Sequence, residues 1–424
     1  MTVKTNIPKI HRAWIILVGC SLMTAGTCGM LPILGSLFYV PVTTELGFSI
    51  PEMSFYTTLF GLVQAFMLPI VGQTLAKTKR LNLLLSACTI IAGLSFAMMS
   101  LYTKVWMWCV AGVVMGMSIA FTSFMSMTII VKNWFAKRTG LALGISWSVF
   151  SITTAVVSPI FSNLIQTVGW RASYVIVAAI SVIIVLPFTL FVIKYSPESV
   201  GELPYGYEEK TEEAGEEAEK LAESGVPYKI ATRSASFFIL VLAMGLMAIV
   251  TSLYRLFPVY AESVGFAAQI GALMISASMI ADVFLNLFVG TACDKMGLNR
   301  VFALCIILTI VSHMMLMFSA GNVGLALSGA AVNDILYSFE GTGMALLVAS
   351  QFGNKDFNRI YPLLSSVSFY IGCFGNTILS SIYAFSGSFR AVFIFCAVTL
   401  VIVWLLTTLS GKMAARLPHT AEEE

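Results

Sequence analysis

The segment "SASMIADVFLNLFVG", residues 276–290, places an aspartate in the middle of a run apolar enough to lie within a bilayer. An ionised carboxylate in hydrocarbon costs at least ~2.5–3.5 kcal/mol on the mildest insertion scale, so Asp282 must be compensated or used. Ser278, Asp282 and Asn286 recur at i, i+4 and i+8, which makes one polar stripe along a helix. A second run, "GAAVNDILYSFEGTGMALL", adds Asp334 and Glu340. The two acids sit roughly 9 Å apart along a helix axis. Asn333, Tyr337 and Glu340 share a face by i, i+4, i+7 spacing. Carboxyls at mid-depth with no nearby base can take a proton from one side and release it to the other, and an ionised one can instead hold a cationic solute. The plainer alternative is an interhelical hydrogen bond, worth under about 2 kcal/mol. Asp282, Asp334 and Glu340 are the proton-coupling candidates. Asp334, beside Asn333 and Tyr337, is expected to face a wet cavity, and Glu340, ahead of "GTG", to lie buried between helices.

The elements that must hold these groups follow from composition. The 424 residues are 58% hydrophobic and only 11% charged, against about 25% charged for a soluble domain. This is a polytopic membrane protein. A ~30 Å hydrocarbon core takes about 20 apolar residues to cross. Twelve such runs occur, at 13–40, 53–76, 82–101, 105–131, 140–166, 172–194, 236–261, 266–291, 301–319, 323–350, 360–386 and 389–411. Helices are the default, because a span must satisfy its own backbone hydrogen bonds. The first run, with its basic flank, reads as a retained helix and not as a signal peptide.

Twenty lysines and arginines fall in loops of one parity and at both termini, and four (Lys104, Arg171, Arg255 and Arg390) fall on the other side. The termini and the long insert are therefore expected on the cytoplasmic side of the cell membrane. The predicted layout is a six-helix half (1–195), an acidic linker (196–235) and a second six-helix half (236–424). The linker's ten glutamates and few apolar residues make it a solvated hinge, with a short surface helix expected around "EEAEKLAE". Two such halves form the layout of repeat-built secondary transporters, whose site lies at the midplane between them.

Other residues fill in the site. The first half is neutral and hydroxyl-rich, with Thr24, Thr27, Thr122, Ser123, Ser126, Ser148 and Ser151. Thr27, Thr122 and Trp147 are substrate-binding candidates there, and Gln64 could join them. Ser278, Asn286, Asn333, Tyr337, Tyr254 and Arg255 are the candidates in the second half. Each hydroxyl is individually more common as an interhelical bond than as a ligand. An aromatic such as Trp147 beside a polar stripe suits an organic solute. Gly112 and Gly116 form a Gly-x-x-x-Gly packing face. The eight cysteines are scattered singly, without metal-ligand spacing, so no metal or cofactor is expected. A membrane enzyme would need a nucleophile with its base, or a metal cluster, and neither is visible. A sensor would need a folded soluble domain, which the polar insert cannot supply.

The loop "NWFAKRTGLALGIS" and the following "GWRASY" resemble the major facilitator superfamily. The nearest branch is that of monocarboxylate transporters and bacterial oxalate/formate antiporters, and "SPESVGELPYG" and "FGNKDFNRIY" are similar to its bacterial members. The resemblance implies twelve helices around a central cavity and secondary active transport of a small organic solute such as a monocarboxylate, coupled to protons, by a functional monomer. It also implies gating loops, onto which Lys137, Arg138, Asp294 and Lys295 map. There are departures. "GQTLAKTKR" has Ala76 where the family's acid is expected, and "GTACDKMGLNR" keeps it as Asp294. The branch's Asp-x-x-x-Arg pair appears here as Asp282 and Asn286, and the eleventh run holds no base. With only Arg255, near the outer end of the seventh helix, an alternative stays open: a neutral or cationic metabolite or drug, imported or exported. No nucleic-acid partner is implied.

Overall fold

The computed structural model describes residues 11–78, 80–135, 138–206, 225–353 and 355–418. Among them the chain is all-α apart from isolated backbone bridges. The first half contains α1 (Arg12–Leu46), α2 (Ile50–Lys77), α3 (Leu81–Leu101), α4 (Val105–Trp134), α5 (139–168) and α6 (170–192). The second contains α7 (Ala235–Ser263), α8 (Ala268–Met296), α9 (Leu298–Met317), α10 (323–352), α11 (357–386) and α12 (Phe389–Ala414). The described ends of the chain, at His11 and Pro418, and the described edges of the linker lie on one side of this bundle, here called the linker side. Phe191, Phe284 and Phe385 stand exposed on the bundle's outside, where a bilayer would cover them.

Local chemistry sets the turns. α2 starts with a capping box, in which Ser49 Oγ accepts from the Glu52 amide and Glu52 Oε2 accepts from the Ser49 amide at 2.8 Å. α5 ends at Gly169, whose φ of +81° suits glycine and turns the chain into α6. Just beyond, Trp170 Nε1 and Arg171 both donate to Glu45, and Arg171 also donates to the Ser100 carbonyl at 2.8 Å. Three far-side loops are thereby tied together. Gly112 and Gly116 let α4 approach α2 so closely that a Cβ would meet the Tyr56 or Phe60 carbonyl at 2.5 or 2.6 Å. That is a packing role.

Several rods break inside the bundle, on corresponding helices of the two halves. α1 loosens into a π-helical stretch at Ala25–Ile33, around Pro32, and α7 tightens into a 3₁₀ stretch at Ser252–Leu256. α4 breaks at Ser123 and α10 at Asp334. Irregular backbone inside a membrane is tolerated where it is buried in protein or lines a cavity.

The halves meet along α2 against α11 and α5 against α8. Ser54 pairs with Ser380 at 2.9 Å, Thr58 with Thr377 at 2.8 Å, and Asn376 donates to Tyr39 Oη at 2.9 Å. Ser158 donates to the Ala272 carbonyl at 2.9 Å and Ser276 to the Ala155 carbonyl at 2.6 Å. Among the described residues, every hydrogen bond between the halves lies on the far side or at mid-depth, none on the linker side. This form is sealed on the far side.

The linker differs from a uniformly solvated hinge. Its first part returns to its own half, where the Tyr205 amide donates to the Trp134 carbonyl and Arg12 pairs with Glu202 at 3.5 Å. Its last part docks on the other half, through the Val226 amide to the Phe352 carbonyl and the Tyr228 amide to Asp356 at 2.7 Å. Backbone groups at the two edges of the insert found partners, as buried amides must. The helix expected around "EEAEKLAE" lies outside the described residues.

Candidate functional site

A cavity of about 730 Å³ lies between the halves and reaches toward the linker side as far as Leu143 and Gly144. Its first-half wall is neutral. The π-helical stretch of α1 contributes Cys28, Pro32 and Ile33, and α2 contributes Thr57 and Gln64. Phe124 and Trp147 stack at 4.0 Å, 9° from parallel, and give this wall a flat apolar face.

The second-half wall carries the charge. Tyr254 and Arg255 come from the 3₁₀ stretch of α7, Asp282 and Asn286 from α8, and Tyr337 and Glu340 from α10. The Arg255 guanidinium stands 5.5 Å from the Tyr254 ring centroid, and Tyr254 meets Tyr337 edge to face at 5.9 Å. Among the described residues Arg255 forms no ion pair with a carboxylate. Glu340 accepts from Thr251 Oγ1 at 2.8 Å. Asp282 accepts from Ser151 of α5 at 2.7 Å, from Asn286 at 2.7 Å and from Ser338 at 2.9 Å. The Ser151 bond crosses between the halves.

Two sequence expectations about this wall are corrected. Arg255, a binding candidate near the outer end of its helix, lines the same cavity as Asp282 and Glu340, so these carboxyls do not stand without a nearby base as expected. The facing of the α10 acids is reversed. Glu340 lines the cavity, whereas Asp334 is 1% exposed and accepts from Ser278 at 2.6 Å, behind the wall. That expectation rested on neighbours in sequence, which do not fix the facing of a side chain, and the break at Asp334 also interrupts the 3.6-residue period of α10. For the same reason Asn333 leaves the face shared by Tyr337 and Glu340 and is buried.

The Major Facilitator Superfamily matches residues 13–281 and 256–423. The chain belongs to that superfamily. Among solved structures it is similar to nucleoside transporter NupG, with a TM-score of 0.70 at 15% identity, covering 94% of this chain and 99% of that one. A mutant of NupG gives a TM-score of 0.72 at 14% identity, with 94% and 100% covered. It is also similar to a bacterial homolog of the human lysosomal transporter Spinster, in an inward-facing, unoccupied conformation. That match has a TM-score of 0.67 at 14% identity and covers 96% and 98%. No curated protein sequence matches the chain. These likenesses show the fold. This superfamily member is a membrane transporter of small solutes and not an enzyme.

The remaining candidates in this transporter scatter. Trp147, Tyr254, Arg255, Asn286 and Tyr337 line the cavity; Ser278, Thr27 and Thr122 do not. Thr27 donates to the Met23 carbonyl at 2.8 Å and to the Thr122 carbonyl at 3.3 Å, so both belong to the packing of α1 on α4. Of the gating candidates, Arg138 and Lys295 are exposed, and Arg138 opens α5 in a left-handed conformation. Asp294 is helical, and Lys137 lies outside the described residues. Thr57, Phe124, Thr251 and Asn376 were not singled out from sequence. Asn376 sits where α11 meets the first half, donating to Tyr39 and Thr57, and an intramembrane amide was the signal available for it.

Proposed function

We propose that this transporter carries a small monoanionic organic solute, a monocarboxylate, together with protons. The observation that carries the reading is Arg255, a guanidinium on the cavity wall with no carboxylate partner among the described residues. An unpaired charge facing a partly desolvated chamber is expensive. A carboxylate ligand answers it with a bidentate pair of charge-assisted bonds. The Phe124–Trp147 face across the cavity suits the solute's organic part.

Coupling follows from the wall's charge. With Asp282 and Glu340 both ionised, an incoming anion meets two negative charges and one positive. Each proton taken up by these carboxyls makes the chamber more favourable to the anion, and by linkage the anion favours the proton. Acidifying the side from which substrate is drawn therefore raises uptake. The skew of lysines and arginines supports placing the linker side in the cytoplasm of a cell whose cytoplasmic membrane holds the protein. Since one chain encloses the whole cavity, a monomer is the working unit.

A second reading uses the same two carboxyls to hold a neutral or cationic metabolite or drug, with its ring on Trp147. A proteoliposome panel of monocarboxylates, oxalate, nucleosides and organic amines, each with and without a pH gradient, separates the two. We expect monocarboxylate uptake driven by an acid donor side and strongly reduced by Arg255→Gln, with no transport of the dianion oxalate. Anion uptake indifferent to both Arg255→Gln and the gradient would sink the first reading.

A further inference from the structure

Behind the cavity wall, α8 and α10 are joined by a crosswise pair of hydrogen bonds. Ser278 of α8 donates to Asp334 Oδ1 at 2.6 Å, and Ser338 of α10 donates back to Asp282 Oδ1 at 2.9 Å. Ser278 and Asp282 are one turn apart on α8, as Asp334 and Ser338 are on α10. The four side chains thus form two rungs between the helices, with one carboxyl on each.

The two carboxyls are not equally provided for. Asp282 has donors on both oxygens, from Ser151, Asn286 and Ser338. Asp334 Oδ2 is sealed from solvent and has no partner. Each carboxyl accepts from the serine that stands one turn from the other carboxyl on the opposite helix, which sets Asp282 and Asp334 side by side. Two carboxylates offer each other only acceptors. A buried acceptor left without a donor costs about 1–3 kcal/mol, and adjacent like charges add repulsion. One proton removes both penalties, because the O–H of one carboxyl donates to the other.

We infer that Asp282 and Asp334 hold a single proton between them, with Asp334 as the occluded partner and Asp282 as its outlet to the cavity. The inference rests on the proton coupling proposed above. In the transfer, an O–H bond on one carboxyl breaks as one on the other forms, and the pair's total charge is unchanged. Proton loss to the cavity goes through Asp282, which alone of the two lines it. The titratable groups around the pair are Tyr337 and Glu340 on α10 and Tyr254 on α7, with Arg255 beyond Tyr254. α5 presents only the neutral hydroxyl of Ser151. That hydroxyl must leave Asp282 when the halves part on the far side, so the proton's outlet and the conformational change share one contact.

Infrared spectroscopy of the protein in lipid tests this directly, through the carbonyl stretch of a protonated, water-free carboxyl. The wild type should show such a band at neutral pH. Asp334→Asn and Asp282→Asn should each remove it, since either amide supplies the missing hydrogen permanently. Asp334→Asn should also reduce accumulation driven by a pH gradient to the level seen without one. A band that survives Asp334→Asn overturns the inference. So does a melting temperature that rises with sodium chloride but not choline chloride and loses that rise in Asp334→Asn, because a cation would then fill the gap. If Asp282→Asn keeps full pH dependence, the coupling reading itself falls. If Asp282→Asn loses it while Asp334→Asn keeps both band and accumulation, only the shared proton falls.

Discussion

Among the described residues, every carboxyl, guanidinium and phenol on the cavity wall belongs to the second half, whereas the first half contributes Gln64, Thr57, Ser148 and the Phe124–Trp147 stack. The halves share their helix count and break on corresponding helices, so this contrast is largely one of side chains on a common frame. A neutral, flat wall can slide over a bound solute without losing ion pairs. The charged wall can keep hold of it and carry the coupling groups. Recognition concentrated on one half lets the other act as a moving cover, joined to it by hydroxyl and amide contacts along the seam.

The largest effect expected from this contrast comes from joining the halves. Ser54→Cys with Ser380→Cys replaces hydroxyls 2.9 Å apart on opposite sides of the seam. Oxidation should stop transport completely and reduction should restore it, as followed by uptake before and after a reducing agent. Transport that persists in the cross-linked form would mean the first half does not move as a cover.

Next in size is Arg255→Gln. A hydrogen bond to a charged group is worth about 1.5–3 kcal/mol, so monocarboxylate uptake at low concentration should fall roughly tenfold to a hundredfold. Arg255→Lys should recover part of the loss, because it restores charge without the planar fork. Uptake curves for the three proteins check both statements.

Ser151→Ala removes the cross-half bond to Asp282 at 2.7 Å. Losing about 0.5–1.5 kcal/mol from one conformation shifts the balance of the two forms by roughly twofold to tenfold. Spin–spin distances across Ser54 and Ser380, labelled in both backgrounds, would read that shift toward the far-side-open form.

The smallest effect belongs to the neutral wall. Gln64→Ala should change substrate affinity by less than Arg255→Gln does, since a neutral hydrogen bond is worth about 0.5–1.5 kcal/mol. Equal losses from the two substitutions, measured by concentration-dependent uptake, would erase the division of labour between the halves.

The twelve spans were legible because crossing hydrocarbon demands about twenty apolar residues in a row, and no other constraint on the chain is so long-range in sequence. Asp282 was legible for a related reason: a charge inside such a run stands out. The stripe Ser278–Asp282–Asn286 survived in part, since α8 runs unbroken and its period holds. Even so, Ser278 turned out to serve Asp334 behind the wall. The assignment of Asp334 and Glu340 rested on their sequence neighbours and failed, and Asn333 was lost from the face of Tyr337 and Glu340 at the α10 break. Neighbours in sequence do not fix which way a helical side chain faces, and a period fails where the backbone is irregular.

Sequence alone determined that this chain is a membrane protein of twelve helices, that its lysines and arginines favour one side, and that carboxyls lie at mid-depth. These are properties of composition and order, which a bilayer reads segment by segment. Which carboxyl lines the cavity, which base joins it and which hydroxyl reaches Asp282 from 131 positions earlier were decided only by tertiary structure. Such contacts depend on the rotation of each helix about its axis and on where it breaks. That rotation is set by packing against neighbours distant in sequence.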